Sequence, residues 1–208
     1  LKRAAQQKLT WLDGLLGAPW LREGATRFDF AQGRLLRSPA AAAPGASAAL
    51  LPLRWEGGLP VLELTLGARP AESFLFDTGN AGALVLFAQR AGALLADATA
   101  LPETTVRELG GTVRARHALV ERLAAPGWAA RDVPAAFETG TAARRGGHFD
   151  RLAGSLGIAL FEAGAVTLDA ANGRLVVELP GLPEPPALPG GFGLSLAQRD
   201  GVLLVAGV

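Results

Sequence analysis

One acidic residue at the end of an apolar run constrains this chain more than any other feature. The run Phe74–Phe76 leads directly into Asp77, which is followed by Thr78 and Gly79. A charged group at the end of a buried strand costs free energy unless something binds it. We therefore predict that Asp77 belongs to a functional site. The alternative is a turn-capping aspartate, because Asp-Thr-Gly is also favourable turn chemistry.

The segments on either side of this run have the pattern of β-strands. Apolar and polar residues alternate from Leu50 to Leu66, as in half-buried strands, and Gly57-Gly58 is a turn signal inside that stretch. Two more strand candidates, 104–108 and 112–120, lie on either side of a Gly-Gly pair that suits a tight hairpin. The pattern predicts a mostly-β chain.

Three further segments have a local composition that predicts their structure. Residues 88–100 are rich in Ala and Leu and predict a short helix. Asp132-Val133-Pro134 predicts the start of a strand at a sheet edge, because proline cannot donate to a ladder. Residues 139–147 are small, polar and basic, which predicts a loop.

Taken together, residues 59–180 resemble the lobe of the retropepsin-like aspartic proteases. Leu59–Leu66 is similar to the strand that enters the lobe, and Asp77-Thr78-Gly79 to the catalytic loop. The other matching elements are a flap tip, a hydrophobic-hydrophobic-Gly element and a closing hairpin, at Gly110-Gly111, Leu152–Gly157 and Val166–Leu175 respectively. The resemblance implies a closed β-barrel lobe over residues 50–180.

The resemblance also implies a role for each matching residue. Asp77, Thr78 and Gly79 would be catalytic, with the Thr78 hydroxyl bonded to a partner loop. Gly110 and Gly111 would close over the substrate as a flap. Support of the active loop would come from four further residues, Asn80, Gly154, Leu156 and Gly157. Two residues depart from the family pattern, Asn80 after the triplet and Ser155 within the hydrophobic-hydrophobic-Gly element.

Composition excludes several function classes and leaves the compartment open. The 208 residues contain no Cys, which rules out disulfides and thiolate chemistry. With only two histidines, far apart in sequence, we expect no metal site and no cofactor. A formal net charge of +1 with scattered charges gives no reason to expect nucleic acid as a partner. No apolar run reaches the length of a membrane span.

An internal repeat relates the beginning of the chain to its later part. Leu12–Gly17 matches Leu152–Gly157, and the match continues without a gap to Gly33-Arg34-Leu35 and Gly173-Arg174-Leu175, at an offset of 140 throughout. Two unrelated Gly-rich hairpins are the alternative. If the repeat is a true duplication, residues 1–37 are the tail of an earlier lobe, whose own catalytic Asp would precede Leu1. Since the chain begins with Leu and shows no signal peptide, we expect a fragment or processed form.

The remaining segments divide the chain into units. Residues 38–49 and 181–190 are rich in Ala, Pro and Gly and predict linkers. Residues 191–208 begin with Gly-Phe-Gly-Leu and resemble the opening of a PDZ domain, a module that binds peptides by strand addition. An ordinary hairpin explains this segment equally well.

The resulting hypothesis is an aspartic endopeptidase that acts on a peptide or protein substrate. Its second Asp would come from the upstream lobe or from a homodimer mate. One alternative is a non-catalytic retropepsin-like/PDZ scaffold that binds peptides. Another is an assembly protein in which the first 37 residues form an interaction arm. Resemblance to exported bacterial relatives suggests an extracytoplasmic (periplasmic or secreted) bacterial protein.

Overall fold

The computed structural model describes residues 16–90, 103–108, 111–139, 147–179, 195–199 and 202–207. These residues are mostly β, which confirms the predicted fold class. The elements in chain order are α1 (Ala18–Leu21), β1 (Ala25–Asp29), β2 (Arg34–Ser38), β3 (Ala49–Glu56), β4 (Leu59–Leu66), β5 (Glu72–Phe76), β6 (Leu84–Leu86), β7 (Glu103–Glu108), β8 (Gly111–Ala125), β9 (Trp128–Thr139), the 3-10 helix η1 (Gly147–Arg151), β10 (Gly154–Leu156), the 3-10 helix η2 (Ile158–Phe161), β11 (Ala165–Asp169), β12 (Arg174–Glu178), β13 (Ser195–Arg199) and β14 (Val202–Gly207).

Twelve of these strands form one sheet in the order β2-β1-β11-β12-β3-β4-β5-β10-β6-β9-β8-β7. An additional antiparallel pairing joins β4 to β8, through Thr65↔Ala124 and Leu66↔Leu123. Because β4 also pairs with β5, this contact closes a ring of six paired strands: β4, β5, β10, β6, β9 and β8. The sheet therefore curls back on itself and encloses its apolar face.

The alternating stretch forms the strands that the sequence predicts. β3 and β4 are joined at Gly57-Gly58, and both glycines have positive φ. Leu62 and Leu64 are buried while Glu63 between them is exposed. The buried residues of β4 join a core whose other members come from β3, β5, β6, β8 to β12 and η2. Burial of this shared apolar face is what holds the ring of strands together.

The strand predicted to start at Asp132 begins earlier. β9 runs from Trp128 to Thr139, so Pro134 lies inside it and pairs with Leu119 of β8. The neighbour on the other side, β6, pairs only with residues 135–137 of β9. Pro134 therefore has one paired edge, a position at which a missing N–H is tolerated. β9 lies between β6 and β8 in the sheet, so the predicted sheet edge and the predicted strand start were both wrong.

The two segments related by the offset of 140 both consist of one helical turn followed by a hairpin, α-helical in the first segment and 3-10 in the second. α1 and η2, β1 and β11, and β2 and β12 each have bounds that differ by 140. β1 and β11 pair with each other in antiparallel register, so the two hairpins lie side by side in the sheet. The ring of Phe28 on β1 packs edge-on against Phe76 at 6.2 Å. The first hairpin thus contributes to the core behind the strand that carries Asp77.

Several predictions fall partly or wholly outside the described residues. Of the predicted helix at 88–100, residues 88–90 are helical and the rest lie outside the described part. The linker at 181–190, Gly110 and the loop at 140–146 also lie outside it. β13 and β14 form a two-stranded antiparallel sheet of their own. Within the described ranges no helix is long and apolar enough to cross a membrane.

Candidate active site

β5 delivers Asp77 to the end of a buried strand. Phe74, Leu75 and Phe76 are all buried, and β5 lies between β4 and β10 in the sheet. Asp77 follows immediately and is partly exposed. The apolar strand therefore ends in a carboxylate that reaches the surface of the ring of strands, as the sequence predicts.

Backbone hydrogen bonds fix the position of this carboxylate. The N–H of Asp77 donates to the carbonyl oxygen of Leu156 (2.9 Å), which ties the residue to the end of β10. The N–H of Gly79 donates to Oδ1 of Asp77 (2.9 Å), and the N–H of Asn80 donates to the Asp77 carbonyl oxygen (3.1 Å). Asp77 is thus oriented by the tight turn that follows it.

β10 crosses beneath this turn and sets its position. It pairs in parallel with β5 and in antiparallel with β6, so that Leu156 lies level with both Phe76 and Leu84. A Cβ at Gly154 would lie 1.9 Å from the carbonyl oxygen of Val85. No side chain fits there, so glycine lets β10 pass between the two strands that flank the Asp77 turn.

Gly157 performs the same function at the turn itself. A Cβ on Gly157 would lie 2.0 Å from the Gly82 carbonyl oxygen and 2.5 Å from that of Asn80. The neighbouring N–H of Ile158 donates to the Asn80 carbonyl oxygen (2.9 Å). The segment after β10 and the segment after Asp77 are therefore in direct backbone contact.

The two departures from the family pattern bond to each other. Nδ2 of Asn80 donates to Oγ of Ser155 (3.2 Å), and Oδ1 of Asn80 accepts from the N–H of Gly82 (2.9 Å). Ser155 is buried, so its hydroxyl needs such a partner. Sequence reasoning treated the two residues separately. The two residues lie in elements that are predicted to pack together, and this could have predicted the hydrogen bond between them.

The remaining predicted residues are placed less completely. Thr78 is half-buried and Gly79 is exposed, both in the turn after β5. Gly111 begins β8 and pairs with Glu108 of β7, which makes it part of a hairpin, while Gly110 lies outside the described residues. The flap assignment stays a prediction.

Neither histidine belongs to this site. His117 lies on β8, where its Nε2 is 2.7 Å from Oγ1 of Thr104, and burial lowers the pKa of its imidazole. His148 lies in η1, in the space beside Gly57. Both residues lie at the surface, His117 on a strand and His148 in a helical turn, and part of the His117 ring is buried. No group of three metal-ligating side chains occurs within the described ranges.

Asp29 and Asp169, which also lie near glycines, are hairpin residues. The Asp169 carboxylate accepts hydrogen bonds from Asn172 and from Nε of Arg174 (2.9 Å). Burial raises the pKa of Asp169, but the hydrogen bonds from Asn172 and Arg174 outweigh it and hold that pKa below its ordinary value. Asp29 accepts from the N–H of Gln32 and from Arg34 in the equivalent way.

Comparison with known proteins gives a remote likeness at the level of solved structures. No protein-family model matches the chain, and no curated protein matches it. Among solved structures, the chain is similar to a retropepsin-like aspartic protease from Rickettsia conorii. The identity is 17%, the alignment covers 62% of this chain and 90% of that one, and the TM-score is 0.42. A likeness of this size leaves the chemistry to be derived from the residues of this chain.

Proposed function

We propose that this chain carries one half of the active site of an aspartic endopeptidase. Asp77 supplies one carboxylate, and a second carboxylate faces it from another lobe. Two such groups about 3 Å apart share one proton, since both cannot ionise together. The ionised carboxylate takes a proton from a bound water, and the protonated one polarises the scissile carbonyl. Peptide hydrolysis then needs no covalent intermediate.

The observation that supports this proposal is how firmly Asp77 is held. Its carboxylate accepts the N–H of Gly79, its own N–H binds Leu156, and the turn is locked to β10 through Gly157. Catalytic groups need to be held in place before the substrate arrives. The carboxylate is nevertheless partly exposed, so a facing lobe and a water molecule have access to it.

The second carboxylate is proposed to come from a lobe that precedes Leu1. The repeat supports this proposal: residues 16–38 and 156–178 have elements with bounds 140 apart, and a full duplication would put an equivalent of Asp77 140 positions upstream. A second copy of the chain is the other source. The substrate would lie extended between the two lobes under the β7–β8 hairpin.

A non-catalytic scaffold is the competing function. It is supported by the departures at Asn80 and Ser155, yet these residues bond to each other and leave the turn closed. The hairpin β13–β14 would then supply the binding function as part of a PDZ-like module. This alternative predicts that a substitution at Asp77 changes no measurable activity.

The test is peptide cleavage by the natural-length polypeptide and two matched variants. Asp77→Asn removes the general base and keeps the side-chain shape, so we expect hydrolysis of an internally quenched peptide library to fall by about 10²–10⁴-fold. Asp132→Asn is the control, because Asp132 is exposed on β9 at a positive φ that Asn also tolerates. Wild-type cleavage by Asp77→Asn, or no cleavage by any form, would contradict the proposal.

A further inference from the structure

The contact between β1 and β11 has a local two-fold symmetry. Ala25 pairs with Asp169, and the residues related to them by the offset of 140, Ala165 and Asp29, also pair. Two backbone hydrogen bonds outside the strands are related by the same two-fold symmetry. The N–H of Phe30 donates to the Gly164 carbonyl oxygen (3.0 Å), and the N–H of Ala170 donates to that of Gly24 (3.3 Å). The two hairpins are therefore equivalent halves of one four-stranded unit.

The space around the two glycines repeats as well. A Cβ on Gly24 would lie 2.4 Å from the Ser38 carbonyl oxygen, and one on Gly164 would lie 2.2 Å from that of Glu178. Ser38 and Glu178 are themselves 140 residues apart. Equal backbone packing at equivalent positions indicates that both hairpins have the same fold and not only the same lengths.

The symmetry ends at the outer edges of the unit. β12 pairs on its outer side with β3, in a register that includes Leu175↔Leu51 and Val176↔Leu50. β2, the equivalent of β12, is the end of the sheet, and no strand among the described residues pairs with its outer side.

Side-chain exposure differs between β12, which is paired with β3, and β2, which has no such neighbour among the described residues. Leu175 and Val176 on β12 are 0% and 3% exposed, whereas their equivalents on β2, Leu35 and Leu36, are 50% and 46% exposed. Neighbouring residues of a strand point to opposite faces, so both faces of β2 carry an apolar side chain that is covered in the other copy. An unpaired strand edge with exposed leucines is a typical site of strand addition.

We infer that the outer edge of β2 is the docking edge for a β-lobe encoded ahead of Leu1 in the same polypeptide. That lobe adds a β3-like strand antiparallel to β2, with Leu35 opposite the position equivalent to Leu51. The inference deepens the proposed function, because it identifies how the lobe with the second carboxylate is attached. It depends on the internal geometry of the hairpins and not on the chemistry at Asp77.

A second copy of this chain does not fit that role. Its β3 is already paired, with β12 through residues 49–52 and with β4 through residues 53–56. Donating β3 to another molecule would require breaking its pairing with β12 or with β4. The offset of 140 also places the missing strand before α1 in the same chain, because β3 precedes η2 in the later copy.

The experiment compares hydrogen exchange in β2 with and without the upstream segment. The 208-residue chain is purified alone and with the natural residues that precede Leu1, expressed as a separate tagged polypeptide. Both carry Asp77→Asn or its equivalent, so that cleavage plays no part. We expect a 1:1 complex by analytical ultracentrifugation and strong protection of the β2 amides that point away from β1. In the isolated chain these amides should exchange rapidly.

A matched pair of variants locates the contact. Leu36→Lys should weaken the complex by about tenfold or more, because it buries a charge in place of an apolar side chain, and lysine is well tolerated on a free edge strand. Leu119→Lys is the control, since Leu119 is equally exposed but lies on β8.

Three results would overturn the inference. One is a complex that leaves the β2 amides unprotected. Another is slow exchange of the β2 amides in the isolated chain. Either other residues of that chain would then cover β2, or two copies would pair through β2 in a dimer that Leu36→Lys abolishes. The third is the absence of any complex. A complex that protects β2 but lacks peptidase activity in its wild-type form would contradict the proposed function alone. Peptidase activity without protection would contradict this inference alone.

Discussion

Gly157 shows how one residue controls the position of the Asp77 turn. Its φ of −101° is accessible to any residue, so conformational freedom does not explain the glycine. The reason is space, because a Cβ would collide with the backbone oxygens of Gly82 and Asn80. These are rigid atoms, and relief requires the turn after Asp77 to shift.

We therefore expect Gly157→Ala to reduce both stability and cleavage. Forcing a methyl group into a packed backbone contact costs about 1–3 kcal/mol, measured by urea denaturation, and the displaced turn should lower peptide hydrolysis in the natural-length polypeptide. The control is Gly17→Ala in the 208-residue chain. Gly17 is the repeat equivalent of Gly157, and a Cβ there would meet Pro19 at an ordinary 3.4 Å. Equal unfolding free energies for the two variants would contradict the packing argument.

At the residue scale, the local pattern predicted that Asp77 follows a buried strand, but it did not predict which residues the turn after Asp77 would contact. The run Phe74–Phe76 is sufficient to place a carboxylate at a strand end, because burial of a strand depends on its own residues. The bond between Asn80 and Ser155 joins residues 75 apart in the chain. It depends on the parallel register of β10 and β5, which no local pattern specifies.

At the scale of elements, the hairpin β11–β12 is stabilised by a buried carboxylate. Asp169 accepts hydrogen bonds from Asn172 and Arg174 at the two ends of the turn. Since the pKa of Asp169 is lowered in the folded state from 3.8, its ionised form stabilises the fold. This contribution is complete above the unfolded pKa and is lost as pH falls through the lower folded pKa.

Asp169→Asn should therefore destabilise the chain in a pH-dependent way. We expect a loss of about 1–3 kcal/mol at pH 7, because an amide has one uncharged acceptor oxygen where the carboxylate has two charged ones, and its NH2 group cannot accept a hydrogen bond. The loss should shrink as pH falls below 3.8, where the wild-type carboxylate begins to be protonated in the unfolded chain. Unfolding free energies across pH 2–7 check this, with Asp150→Asn in the exposed η1 as control. A difference between wild type and Asp169→Asn that does not change with pH would contradict it.

Strands were predicted correctly where apolar and polar residues alternate. Where they do not alternate, the predicted strand boundary was wrong. β3 and β4 follow from their alternation and their glycine turn. β9 begins at Trp128, ahead of the Asp132–Pro134 segment that predicted it. The four residues from Trp128 to Arg131 do not alternate between apolar and polar. Their pairing with β8 is what makes them part of the strand. Pro134 marks neither the beginning of β9 nor an edge of the sheet, because β9 begins at Trp128 and lies between β6 and β8.

At the scale of the whole molecule, the repeat predicted more than the strand patterns did. Its offset of 140 relates the bounds of α1, β1 and β2 to those of η2, β11 and β12. The closure of the ring through β4 and β8 was not predictable in detail, because it depends on which residues of two long strands meet. The exposed edge of β2 likewise appears only when the two copies are compared in three dimensions.

The most direct test of the central claim is the distance between two carboxylates. A crystal structure of the natural-length polypeptide would show it. Our account predicts the side chain of Asp77 about 3 Å from a second aspartate, carried by a lobe docked on β2, with a water bound between them. It is contradicted if Asp77 faces bulk solvent, with no acidic side chain of another lobe within about 6 Å.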